Sequence, residues 1–256
     1  MSFSVHDDKM IRIEKTYTKG PMHAQQYIND LIERKVPYFV NILGSTFIIS
    51  DTQVYPPGKL TTLFATHLLN NELIKNKVIV DAGAGCFALG ILAAQAGAKE
   101  VIGTDISQAA VNCARENIIL NKVNSNARIL KENGLTKLLP EYMRKVDLLL
   151  SGAPWESISQ IQFENIPEKR KFISLAFYDV EDRLITDVLK NGPLLLSPKG
   201  KILITASMRV IDRINQLCEK HKKIYRIIAE KDLHNDGNIH YILEILSSTT
   251  GLSVME

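Results

Sequence analysis

The chain has 256 residues, with 31 basic and 28 acidic side chains, a net charge of +3, and 45% hydrophobic and 23% charged residues. That is an ordinary globular composition, long enough for one sizeable core, and its charge is too mild to imply a nucleic-acid partner. No apolar run nears the ~18 residues needed to span a bilayer, and residues 1–10 lack the apolar centre of a signal peptide, so no membrane contact is expected. Cys86, Cys113 and Cys218 have neither metal-ligand nor redox-motif spacing, as in a reduced, cytoplasmic protein. The six histidines are scattered without ligand spacing, and no metal is expected. The basic runs 169–171 and 220–223 read as solvated faces.

In chain order, Ala24, Tyr27, Ile28, Leu31 and Ile32 lie at helical spacing and predict a helix over 22–35, ended by Pro37. Residues 38–42 and 46–50 flank Leu43-Gly44-Ser45 as a hairpin, and Pro56-Pro57-Gly58 precedes a helix over about 61–69. Strand and helix then alternate. Strands are expected at 78–81, 100–104, 127–131, 146–151 and 201–206. Helices are expected at 87–96, from Ser107 as N-cap, briefly before Pro140, over about 180–191, and at 210–221. A polar loop is read over 156–170. Two last strands, 224–231 and 239–247, flank Asp236-Gly237, a hairpin signal. Alternation of this kind builds one mostly parallel sheet, here closed by an antiparallel hairpin.

The most informative stretch is Val78-Ile79-Val80-Asp81-Ala82-Gly83-Ala84-Gly85, followed 20 residues later by Asp105 at the end of the next strand. An apolar strand, a glycine turn and a second strand ending in an acid form a nucleotide-type cofactor site, with Asp105 placed to accept from a ribose diol. Gly83-x-Gly85-x-x-Ala88 also fits the dinucleotide fingerprint. Asp81 separates the two readings. A carboxylate so close to a pyrophosphate is repelled, whereas a sulfonium with an amino-acid tail tolerates or exploits it. S-adenosylmethionine (SAM) is therefore favoured over NAD(P).

These motifs, with Gly103-Thr104-Asp105-Ile106-Ser107 and Ala114-Arg115-x-Asn117 in the same order, resemble class I SAM-dependent methyltransferases. Within that class the hairpin with Gly44, Phe47 and Asp51, then Val54-Tyr55-Pro56-Pro57, Thr61-Thr62 and the 146–155 strand, resemble the enzymes that modify glutamine in release factors. The resemblance covers roughly 38–206. It implies a Rossmann-like α/β fold with a seven-stranded sheet, a SAM-binding domain over 61–256 and a helix-and-hairpin cap over 1–60.

The chain departs from that group in three ways. Gly152-Ala153-Pro154-Trp155 stands where the group has Asn-Pro-Pro-Tyr, so the asparagine that holds the target nitrogen is missing. Phe87 replaces a frequent third glycine and is expected to narrow the space beside the cofactor. Residues 1–37 are too short for the group's helical recognition domain. All three point away from a release-factor substrate.

The resemblance assigns cofactor contacts to Asp81, Gly83, Gly85, Asp105, Ile106 and Gly152, with Asn133 or Glu132 after the third strand reading adenine and Tyr55 and Pro56 at the methionine tail. On the acceptor side, the Ala153 carbonyl would hold the target nitrogen, Trp155 would wall the substrate, and Glu156 is the nearest carboxylate for a base. Tyr178 and Asp179 could face substrate. Asp147 begins its strand at the far edge of the sheet and is read as structural. The expected activity is N-methylation of a small molecule or peptide side chain. An NAD(P)-dependent oxidoreductase and a non-catalytic SAM-binding protein are the alternatives.

Overall fold

The computed structural model describes residues 20–152, 154 and 156–247. Helix α1 (Gly20–Glu33) leads into a two-stranded hairpin, β1 (Tyr38–Ile42) and β2 (Ser45–Ile49), and then α2 (Lys59–Asn70). The alternating part follows: β3 (Val78–Ala82), α3 (Ala88–Gln95), β4 (Glu100–Asp105), α4 (Gln108–Leu120), β5 (Ala127–Lys131), α5 (Leu139–Tyr142) and β6 (Val146–Ser151). After an excursion come α8 (Arg183–Leu195), β9 (Leu196–Ser207), α9 (Ile211–Lys220), β10 (Lys223–Asp232) and β11 (Ile239–Ser247). The excursion itself contains β7 (Glu156–Ile158), α6 (Gln160–Glu164), α7 (Glu168–Ser174) and β8 (Tyr178–Val180).

The seven-stranded sheet has the order β10-β11-β9-β6-β3-β4-β5. Strands β9, β6, β3, β4 and β5 run parallel, and β11 pairs antiparallel with both β9 and β10. Central strands covered on both faces need continuous apolar runs, and Ile79-Val80 and Leu148-Leu149-Leu150 supply them. One core cluster lies on the side of α3 and α4 and the other on the side of α8 and α9. Helix α3 is buried from Ala88 to Ala94, which is why its residues are apolar all round rather than along one stripe.

The hairpin is not a detached flap. Val40, Ile42, Phe47 and Ile49 belong to the same core as α3 and α4. Asn117 of α4 clasps it: its Oδ1 accepts from Ile48 N at 2.7 Å, and its Nδ2 donates to the carbonyls of Ile48 at 3.0 Å and Cys86 at 3.1 Å. One buried amide thus ties the hairpin, the glycine turn and α4 together.

One expectation needs correction. Residues 156–170 are not a plain loop. Ser159 and Gln162 form a capping box that starts α6, Pro167 precedes α7, and β7 pairs in parallel with β8. The polar composition hid a structured excursion whose elements are too short for periodicity to reveal. The short helix expected before Pro140 is a 3-10 turn, Thr136–Leu138, and α5 follows it with the proline in its first turn, where its missing N–H costs nothing.

Candidate active site at the carboxyl edge of the sheet

The glycine turn after β3 is built by the backbone. Gly83 N and Ala84 N both donate to the Thr104 carbonyl, at 2.9 and 3.0 Å. Gly83 and Gly85 have φ of +73° and +56°, a region that other residues enter only at a cost. A Cβ at Gly85 would meet nothing within 4 Å, so the turn presents bare backbone to open space.

Asp105 closes the turn from β4. One carboxylate oxygen accepts from Gly85 N and the other from Ser107 N, each at 2.8 Å. Ser107 caps α4, its hydroxyl accepting from Ala110 N at 3.3 Å. Burial raises the pKa of this carboxyl against the pull of the two N–H groups, and the two donors leave it further lone pairs for a ligand diol. Asp81 lies close by and is only 3% exposed. Burial, then the charge of Asp105, push its carboxyl up to about 7, against a backbone N–H at Gly90 that pulls the other way.

Phe87 differs from expectation. It is fully buried at φ +66° and does not line the cleft. Its ring fills the space over two glycines: a Cβ at Gly90 would approach it to 2.0 Å and one at Gly103 to 2.7 Å. The left-handed backbone turns the side chain into the core, so it packs α3 onto β4 and leaves the cofactor space unnarrowed.

These groups open into one cleft of about 1020 Å³. Ile106, Glu132, Asn133 and Gly134 line it beyond Asp105. Glu132 N donates to the Asp105 carbonyl at 3.0 Å, and its carboxylate pairs with Lys137 at 2.6 Å, which leaves exposed Asn133 the freer side chain of the two. On the opposite wall, Tyr55 and Pro56 precede α2. Arg34 holds their loop, donating to the carbonyls of Asp51 and Thr52 at 3.2 Å and to that of Val54. Tyr27, Tyr55 and Phe177 pack edge to face, with ring centroids 5.4–6.2 Å apart, as an aromatic corner of the cleft.

At the end of β6, Gly152 lines the cleft, and a Cβ there would meet nothing within 4 Å. Ala153 and Trp155 lie outside the described residues. Pro154 is held by Arg213 of α9, which donates to its carbonyl at 3.1 Å. The same guanidinium pairs with Asp179 at 3.3 Å and Asp182 at 2.6 Å. Asp179 also accepts from Leu184 N and Ile185 N at the start of α8, so its carboxylate is a bolt rather than a free base. Glu156, expected as a base, is exposed at the start of β7 and does not line the cleft, because the chain turns outward there to pair with β8. Asp147 sits at the opposite edge, accepting from Val78 N and Ser197 Oγ at 3.0 Å each.

Arg213, Thr205, His234 and His240 were not legible as site residues. The last three line the cleft, yet they lie far along the chain from the glycine turn. Only the strand order brings the end of β9 and the beginning of β11 to the same sheet edge as the end of β6. The available signal was the hairpin itself, whose turn had to fall at the same sheet edge as the ends of the parallel strands.

Residues 59–152 match the family model described as Ribosomal protein L11 methyltransferase (PrmA). A "Ribosomal protein L11 methyltransferase" of Lactobacillus gasseri is 37% identical over 111 residues, covering 43% of this chain and 32% of that protein. The chain thus spans about a third of the length of the curated relatives it matches first. The ribosomal protein L11 methylase of Lactobacillus delbrueckii subsp. bulgaricus has the same fold, with a TM-score of 0.50 at 20% identity over 80% of this chain and 88% of that one. P. horikoshii TYW2, solved in complex with MeSAdo, superposes with a TM-score of 0.55 at 12% identity over 83% of this chain and 71% of that one.

The site fits SAM on its own geometry. The bare turn at Gly85 admits a nucleoside, Asp105 has lone pairs to spare, and the buried Thr104 hydroxyl in the cleft wall has no partner among the described residues. Two adjacent acids, Asp81 and Asp105, suit a cationic ligand and repel a diphosphate, so the dinucleotide alternative gives way. The chain thus has the Rossmann-like fold of class I SAM-dependent methyltransferases and, in its cofactor half, a sequence similar to theirs.

Proposed function

We propose that this protein transfers a methyl group from SAM to an amine nitrogen carried by a protein. The observation that carries this reading is the end of β6: Gly152 opens the cleft where an amide-holding side chain would otherwise project. An amide nitrogen needs its electrons localised by such a side chain, whereas a deprotonated amine is a nucleophile without help. When bound, SAM supplies a methyl group on a cationic sulfur, which departs as a neutral thioether as the amine lone pair displaces it.

The chain's residues serve binding and alignment. Gly83, Gly85, Asp105, Ile106 and Asn133 hold the nucleoside, and Asp81 faces the methionine end. Arg213 fixes the Pro154 carbonyl, and with it the loop beside the transferred group. The aromatic corner of Tyr27, Tyr55 and Phe177 suits the stem and charge of a cationic side chain. We assign the catalytic contacts to the β6 loop, including Ala153 and Trp155, rather than to Glu156, and treat residues 38–58 as part of the methyltransferase domain.

The match over 59–152 to a family named for ribosomal protein L11 supports a protein acceptor over a small molecule, and makes that protein the first candidate. The release-factor resemblance concerns the flanking hairpin and loop, and Gly152 argues against a glutamine acceptor. Incubation with methyl-labelled SAM and, in parallel, ribosomal protein L11, a total ribosomal-protein mixture and a release factor tests this. Label in amines of a ribosomal protein is expected. Label confined to release-factor glutamine would overturn the amine assignment, and absence of any turnover with intact SAM binding would favour a non-catalytic binder.

A further inference from the structure

Sheet register places three polar residues beside Gly152. Ser151 pairs with Ile204, so Gly152 comes level with Thr205 on the adjacent strand, about 4.8 Å away. Across the next pairing, Thr205 lies opposite Ile242 and Ser207 opposite His240. Residues two apart share a face, so Thr205, Ser207 and His240 point to one side of the sheet, the side a side chain at 152 would take. Thr205 and His240 are each no more than 3% exposed, and both line the cleft.

Among the described residues, Thr205 Oγ1 and His240 Nδ1 are buried without a hydrogen-bond partner. Native interiors rarely leave such atoms unpaired, because the desolvation is uncompensated. The nearby acids do not claim them. Asp179 is engaged by Arg213 and two backbone donors, Asp232 accepts from Gly237 N at 2.9 Å, and Asp236 lies 3.8 Å from Arg209. The His234 ring stands 5.5 Å from that of His240. Burial and His234 hold the His240 imidazole pKa below its ordinary value, against the backbone at Asn238 and the charges of Asp236 and Asp232, so the ring is neutral at pH 7 and able to accept.

We propose that Thr205 and His240 form the acceptor subsite of the cleft, standing in for the side chain absent at Gly152 by accepting N–H donors from an amine seated beside the transferred methyl. This rests on the methyltransferase reading and adds which groups grip the acceptor. Both are acceptor-contacting residues, reached from strands β9 and β11 rather than from the β6 loop.

The test compares two probes by calorimetry. S-adenosylhomocysteine has no group at the methyl position, whereas sinefungin carries an amine on the carbon that replaces the methylated sulfur. Thr205→Val keeps the shape and removes only the hydroxyl. It should leave S-adenosylhomocysteine affinity within about twofold and weaken sinefungin by about tenfold to a hundredfold, the range of one hydrogen bond to a charged ammonium. Its melting temperature should stay level or rise, since the lost hydroxyl had no partner. His240→Phe should act in the same direction on sinefungin. Unchanged sinefungin affinity in both variants, or a parallel fall for both probes, overturns the subsite. Failure of either probe to bind the wild type sinks the methyltransferase reading itself, and the subsite with it.

Discussion

Asp81 shows how one buried carboxylate couples stability to function. Its folded pKa is pushed up to about 7, whereas the unfolded group ionises near 4. Between those values the folded chain keeps a proton that the unfolded chain has lost, so stability falls as pH rises through the window and the full loss is present above about 7. Asp81→Asn removes the ionisation. Thermal unfolding should show the variant more stable than wild type at pH 8, by on the order of a few kcal/mol, with the difference shrinking toward pH 4. SAM affinity should move the opposite way, falling in the variant at pH 8. A variant destabilised equally at both pH values would show that the carboxylate is held by contacts rather than merely tolerated. Phe87 is the converse case, a residue at the cofactor turn that serves only the core. Phe87→Leu should cost roughly 1–2 kcal/mol of stability while S-adenosylhomocysteine affinity stays within error, because the ring packs on Gly90 and Gly103 and is absent from the cleft wall. A clear change in affinity would restore the idea that it shapes the cofactor space.

Among the elements, the hairpin depends on α4 through Asn117. Asn117→Ala leaves Ile48 N and the buried Cys86 carbonyl without this partner, while the Ile48 carbonyl keeps the Cys113 thiol, which should cost about 1–3 kcal/mol. Amide exchange should accelerate at Ile48 before it does on β3 or β6; uniform acceleration would mean that hairpin and sheet unfold as one unit. The parallel strands were legible because burial on both faces demands unbroken apolar runs, and β5 and β6 fall at the expected residues. The turn was legible because Gly83 and Gly85 must take positive φ. Asp105 was found through its spacing, but its second task of fastening the turn through Gly85 N is a tertiary fact. The excursion 156–180 was missed because its helices of five and seven residues and strands of three residues are shorter than the periods that identify such elements. Phe87 was misjudged because sequence position alone does not say to which side a left-handed residue sends its ring.

For the whole molecule, the sheet order turns scattered residues into a site. Asp81, Asp105, Gly152, Thr205 and His240 come from five strands or strand ends, and all reach the cleft at one edge. Ligands of open α/β sheets bind outside the carboxyl ends of the strands, and the reversed strand β11 contributes there through its beginning rather than its end. The central claim is that this edge is a SAM site built on Asp105. Calorimetric titration of S-adenosylhomocysteine into wild type and Asp105→Ala, with NADH as the comparison ligand, tests it most directly. One-to-one binding to wild type, a loss of about 1.5–3 kcal/mol or more in the variant, and no heat from NADH are predicted. Binding of NADH without S-adenosylhomocysteine, or equal affinity in a folded Asp105→Ala protein, would contradict the account.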